Sequence, residues 1–142
     1  MKRIYKILLA LVIPVILVGI GAYWYTFMQP HKNLLKVEPE FEIGAENFFT
    51  EFSDDETTSN AKYLGKVVEI TGKVVELNKE NNQTVIVLKD ELFGVSTYLD
   101  ENFCKEYPEI LETVKVGDTV TLRGQCDGML SDVVVSRAVI IQ

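Results

Sequence analysis

The sequence predicts a mainly β domain, a small closed five-stranded barrel, carried behind one apolar N-terminal helix. Three observations predict it. The stretch 66–77, KVVEITGKVVEL, reads as a strand too long to lie flat, with Gly72 at its middle. Four more strand-like stretches follow, with one helical stretch between the third and the fourth. Ahead of them, residues 7–28 hold no charged side chain.

The apolar run ILLALVIPVILVGIGAYWYTFM is long enough to cross a hydrocarbon core of about 30 Å as a helix. Lys2, Arg3 and Lys6 precede it, so the positive-inside rule keeps residues 1–6 cytoplasmic and sends the rest outward. The competing reading is a cleaved signal peptide with Gly19 and Gly21 before the cut. Against it, the run continues through Tyr23, Trp24, Tyr25 and Phe27, an interfacial aromatic belt. The expectation is a signal anchor in a bacterial inner membrane, single-pass, with the C-terminal domain facing the periplasm or cell exterior.

Residues 29–43 read as a polar stalk with two prolines. Its His31, the sole histidine of the chain, reads as solvated. Residues 44–64 read as an acidic amphipathic helix starting near Gly44 or Ala45. Phe48, Phe49 and Phe52 share one side, to which Ala61 and Leu64 return; the polar run 53–59 either interrupts it or forms its solvated face. The consecutive carboxylates of Asp54, Asp55 and Glu56 point apart on a helix and lack the spaced oxygens of a calcium loop.

The barrel is expected over 65–142. In its first strand, Val68 and Ile70 alternate with Glu69 and Thr71, then Val74 and Val75 stand together, so the period-two phase slips and the strand bends at Gly72. NKENN, 78–82, is a polar turn. The second strand, 83–89, is nearly all apolar in its middle, which fits cover on both faces. The third, 94–99, puts Val95, Thr97 and Leu99 on one face and Ser96 and Tyr98 on the other. Phe103, Tyr107, Ile110, Leu111 and Val114 have helical spacing, with Pro108 suited to a first helical position and 102–107 as a looser lead-in. The fourth strand, 119–126, alternates Val120, Leu122, Gly124 and Cys126 against Thr119, Thr121, Arg123 and Gln125. Residues 127–131 form a turn and 132–141 the last strand. Three strands, a helix and two strands, with a bent first strand, is the order of the Greek-key OB-fold, whose helix plugs one barrel end.

Cys104 and Cys126 are too few for a disulfide scaffold and lack CxxC spacing. They read as two buried thiols, with a single disulfide open only in an oxidising compartment; the barrel order sets them toward opposite ends. From Val37 onward nine basic residues face all 21 acidic ones, a formal charge of −12 hidden behind the overall −7. Such a domain repels polyanions on average.

The runs 61–74 (AKYLGKVVEITGKV), 94–96 (GVS), 116–128 (VGDTVTLRGQCDG) and 132–135 (DVVV) resemble the tRNA_anti-like OB-fold family over roughly Pro30–Gln142. The resemblance implies membrane-anchored or exported bacterial proteins of the Bacteroidetes type, akin in shape to anticodon-binding domains. One span plus such a barrel is also the layout of the haem chaperone of cytochrome c maturation. That activity depends on a histidine after the barrel, and this chain has none there.

The function expected is an extracytoplasmic, non-enzymatic binding module with no cofactor or metal, whose partner is an envelope protein or small ligand. OB-folds bind across the second and third strands and the turns beside them, which selects Asn78, Asn81, Gln83, Tyr98, Met129 and Ser131. The alternative is single-stranded nucleic acid, for which Phe93, Tyr98, Lys73, Lys89 and Arg123 are the available aromatics and cations. One histidine in a stalk supports no catalytic triad, and no glycine loop for phosphate is present.

Overall fold

A computed structural model of the chain describes residues 2–27, 33–88 and 94–141, with the first of these side chains described from 11 to 26. Two compact units result, Met1–Lys32 and Asn33–Gln142.

The first unit is helix α1, Lys2–Phe27, with Pro14 inside it. Every described side chain from Leu11 to Thr26 is exposed. Among the described residues no helix is long and apolar enough to cross a membrane. The span expected over 7–28 runs past both ends of the described side chains, and Met28 lies outside the described residues.

The second unit opens with the segment 33–40, then strand β1 (Phe41–Gly44), helices α2 (Ala45–Asp54) and α3 (Glu56–Tyr63), and strands β2 (Val67–Glu80), β3 (Gln83–Leu88) and β4 (Val95–Leu99). Helices α4 (Glu101–Glu106) and α5 (Pro108–Thr113) precede strands β5 (Thr119–Met129) and β6 (Val133–Ile140). The sheet order is β1-β2-β3-β4-β6-β5 with β5 returning to β2, so five strands close a barrel and β1 lies outside it. Only β4–β6 within the barrel is parallel. This is the Greek-key order expected, with two short helices where one was expected between the third and fourth barrel strands.

The inward rows follow the alternation of the sequence. Val68, Ile70 and Val74 of β2, Ile86 and Leu88 of β3, Val95 of β4, Leu122 and Cys126 of β5 and Val133 and Val135 of β6 are all essentially without solvent contact. Phe103 and Leu111 bring α4 and α5 into the same core. Asp100 caps α4, accepting from the main-chain N–H of Asn102 and Phe103, and Pro108 opens α5. The predicted lead-in 102–107 is therefore mostly helical, because a capping carboxylate stands in front of it.

Several expectations are corrected. The phase slip of β2 falls not at Gly72 but between Val74 and Glu76, where the pairing with β3 shifts register. Gly72 stays in the inward row and is small for another reason: a Cβ there would sit 2.7 Å from Ala45 Cβ and 3.3 Å from Leu88 Cβ. Strand β2 continues to Glu80, and the turn is only Asn81-Asn82, both at positive φ, the two-residue hairpin conformation that asparagine tolerates. Strand β3 is covered on one face only, since Val85 and Val87 are half-exposed. Strand β5 likewise runs on to Met129, so that of the turn expected at 127–131 only Leu130 and Ser131 lie outside it.

The single helix expected over 44–64 is two helices, broken at Asp55, whose carboxylate accepts from Thr58 N at 3.0 Å and Thr58 Oγ1 at 2.6 Å. A polar run with its own cap starts a new helix instead of continuing the old one. Ala61 and Leu64 do not return to the apolar side. Tyr63 does, its ring centroid 5.1 Å from Phe48 and 4.9 Å from Phe41. The Tyr63 hydroxyl donates to Glu51 Oε2 at 2.8 Å, beside Lys62 Nζ at 2.9 Å; the bond from Lys62 holds the Glu51 carboxyl below its ordinary range.

The described part of the stalk expected over 29–43, from Asn33 on, belongs to the second unit. Residues 41–44 are β1, which pairs in parallel with Val68–Thr71 of β2. Leu34 is buried, with Leu35 and Val37 packed against the core. His31 lies outside the described residues.

Candidate binding face of the barrel

The exposed outer face of β3 and β4 is built by strand register. Val85 stands between Asn78 of β2 and Tyr98 of β4, and Val87 between Glu76 and Ser96. Period-two alternation turns these side chains away from the core, leaving Val85, Val87, Ser96 and Tyr98 half-exposed. Asn78 Nδ2 donates to Glu76 Oε1 at 2.7 Å. At the far end of β4, Asp132 accepts from Ser96 Oγ at 2.8 Å and Gly94 N at 3.2 Å, which ties the turn between β5 and β6 to the start of β4.

The expected site residues fall into two groups. Asn78, Asn81, Gln83 and Tyr98 gather at the end of the face that carries the Asn81-Asn82 turn. Met129 and Ser131 lie by the other turn, since Met129 pairs with Val133 and Val133 with Val95. Three steps along the strand take Val95 to Tyr98, about 10 Å. The two turns therefore bracket the face from opposite ends and do not converge on one pocket. Leu130, at the second turn, is 89% exposed.

Of the cations proposed for nucleic acid, Arg123 is committed elsewhere. Its Nε and Nη2 donate to Glu69 Oε2 at 3.0 and 2.6 Å, and its Nη1 donates to the carbonyls of Leu34 and Val37 at 3.3 and 2.8 Å. Lys73 sits on β2 opposite Thr119, off this face, lining a cleft of about 400 Å³ with the first residues of α2. Phe93 and Lys89 lie outside the described residues.

One cation was missed by periodicity. Thr97 pairs with Val135 and Leu99 with Ala138, so Ser136 and Arg137 together face Tyr98 across a bulge. Arg137 has φ 53° and is exposed. Strict alternation from Val133 and Val135 would have placed it inward; the extra residue in left-handed conformation turns it out.

Among the described residues no group of three or more His, Cys, Asp or Glu side chains could hold a metal. Both cysteines are free, and burial pushes both thiols up, away from the thiolate that a nucleophile requires.

With this geometry in hand, the sequence profile of the tRNA_anti-like family matches residues 1–140. The chain belongs to the tRNA_anti-like family. The match includes the N-terminal helix, beyond the Pro30–Gln142 range over which the resemblance was read. This tRNA_anti-like chain thus shares an OB-fold binding domain, not a catalytic one, with its family.

A crystal structure of a Klebsiella pneumoniae lipoprotein, to which nucleic-acid binding is provisionally ascribed, superposes with a TM-score of 0.59 at 13% identity, covering 80% of this chain and 100% of that one. At that identity the likeness shows the fold alone. Weaker likenesses are the Stn1–Ten1 complex of S. pombe, with TM-score 0.41, 10% identity, 54% of this chain and 58% of that one, and the asparaginyl-tRNA synthetase of Pyrococcus horikoshii, with TM-score 0.43, 19% identity, 57% and 21%. No curated protein matches the tRNA_anti-like chain by sequence.

Proposed function

We propose that this protein is a membrane-anchored, extracytoplasmic binding module that takes a protein, peptide or small ligand on the outer face of β3 and β4, without catalysing a reaction. The observation that carries the ligand class is the make-up of that face. Its side chains are Val85, Val87, Ser96 and Tyr98, bordered by the three carboxylates Glu76, Glu80 and Asp132 and by one cation, Arg137, across the bulge from Tyr98. A face so bordered repels a phosphate chain, whose binding rests on counterion release by several cations. It suits an apolar or aromatic group with hydrogen-bonding neighbours. Asn78, Asn81 and Gln83 at one turn, and Ser131 at the other, supply those neighbours, with Met129 adding apolar surface.

The anchor reading rests on α1. Its uncharged part, residues 7–27, spans about 32 Å at 1.5 Å per residue, close to the roughly 30 Å of a hydrocarbon core. From Leu11 to Ile20 it carries no polar side chain, the pattern of a helix whose surroundings are apolar on every side. The basic residues before it favour a cytoplasmic N-terminus and an outward domain in a bacterial inner membrane.

The test is a photoreactive residue placed at Tyr98 in cells, with one at exposed Thr113 as control. Crosslinked species are expected from position 98 alone, and are reduced by charge reversal at Arg137. Equal crosslinking from both positions contradicts the assignment of this face.

One observation favours a second reading. Ser136 and Arg137 lie across the bulge from Tyr98, which puts an aromatic and a cationic residue on neighbouring strands, the two residue types that stacking of a single-stranded base uses. Anisotropy titration of a short labelled single-stranded oligonucleotide separates the two. Saturable binding abolished by both Tyr98→Ala and Arg137→Ala supports nucleic acid and overturns the first reading; absence of binding at low salt is the expected result.

A further inference from the structure

We propose that Arg123 and Glu69 form a latch that holds residues 33–37 as a strap on the barrel wall, and that the strap releases as a unit of its own while the barrel stays closed. Glu69 and Arg123 face each other across β2 and β5, on the row that alternation turns outward. That row is normally solvated, yet these two side chains are only 18% and 15% exposed, because the strap lies over them. A single guanidinium serves both sides: two of its nitrogens grip the Glu69 carboxylate and the third reaches the carbonyls of Leu34 and Val37. Planar, forked donors make this arrangement possible, and a lysine ammonium cannot reproduce it.

The strap's own hydrogen bonds are local. Leu35 N donates to Asn33 Oδ1 at 3.1 Å and Lys36 N to Asn33 O at 3.0 Å. No residue of 33–37 takes part in a strand ladder among the described residues. The first main-chain bond to the barrel beyond the latch comes at Glu40, whose N–H donates to Val67 O at 2.8 Å. Leu34 is the strap's one fully buried side chain. Opening the latch therefore withdraws Leu34 and the half-buried Leu35 and Val37, breaks two charge-assisted bonds, and leaves every barrel ladder intact.

The consequence is a change of tether length. With the strap docked, five residues, 28–32, separate it from α1. Released as far as Pro39, the connection is 12 residues, and its maximum reach grows from about 17 Å to about 41 Å at 3.3–3.6 Å per residue. If α1 is the anchor proposed above, the latch sets how far from the bilayer the binding face works. The latch itself does not rest on that reading.

Hydrogen exchange on the full chain in detergent micelles tests it. In the unaltered protein the amides of Leu35 and Lys36 are expected to exchange faster than the ladder amides of Val120 and Leu122, by an opening that spares the barrel. In Arg123→Met combined with Glu69→Gln, which leaves no unpaired buried charge, exchange at Leu35 and Lys36 rises roughly 10- to 100-fold, the loss of charge-assisted hydrogen bonds, with the ladder amides unchanged. Arg123→Lys falls between. Strap amides that keep their rates in the double variant overturn the proposal. So does a loss of protection shared equally by strap and ladder amides in the unaltered protein, a measurement that stands even where a variant fails to fold.

Discussion

Thr97 holds its hydroxyl in the barrel interior with no solvent contact and no hydrogen-bond partner among the described residues. A buried donor left unmade costs the desolvation of that group, while an isosteric methyl does not. Thr97→Val is therefore expected to stabilise the domain by about 1 kcal/mol, read as a higher urea midpoint with unchanged slope; a lower midpoint means that the hydroxyl has a partner. Alternation alone had already put Thr97 on the face of Val95 and Leu99, which the structure turns inward. Arg123 and Arg137 were less legible. Arg123 belongs to the outward row by the same rule, and nothing in the sequence pairs it with Glu69, 54 positions earlier, or with the carbonyls of a segment nearly ninety positions away. Arg137 was hidden for the opposite reason, because its bulge breaks the periodicity that would have located it.

At the scale of elements, Gly72 shows how a correct residue can be chosen for an incomplete reason. The bend of β2 was expected from a phase slip at the glycine, yet the register shifts after Val74. What requires glycine is the close approach of α2 and β3, since any Cβ at position 72 would meet Ala45 Cβ at 2.7 Å. Even Gly72→Ala is expected to cost about 1–3 kcal/mol, the usual range for overpacking, and Gly72→Val more. Thermal melting checks this, and an unchanged melting temperature in Gly72→Ala contradicts the packing account. The element that escaped the sequence reading entirely is β1. Four residues of alternating FEIG between a proline and a helix carry too little pattern to be told from a linker, and their pairing with β2 is a tertiary choice. The break at Asp55 was half visible, in a run of poor helix formers, but the cap that makes two helices of it depends on Thr58.

For the whole molecule, the barrel was the most legible feature, since closure follows from five alternating strands, a plug between the third and fourth, and a first strand long enough to pair at both ends. The binding face was legible only as a location. Its two turns lie at opposite ends, so the residues expected there line a face bracketed at both ends instead of one pocket, and the chemistry of the ligand depends on which end it engages. The proposal that this barrel works outside the cytoplasm on a membrane tether meets its sharpest test in paired reporter fusions at Gln142, one active only in the cytoplasm and one only beyond the inner membrane. Activity of the outer reporter alone, in the membrane fraction, is the result predicted. Activity of the cytoplasmic reporter alone would contradict it, reversing the topology and making single-stranded nucleic acid the first ligand to examine on the Tyr98–Arg137 face.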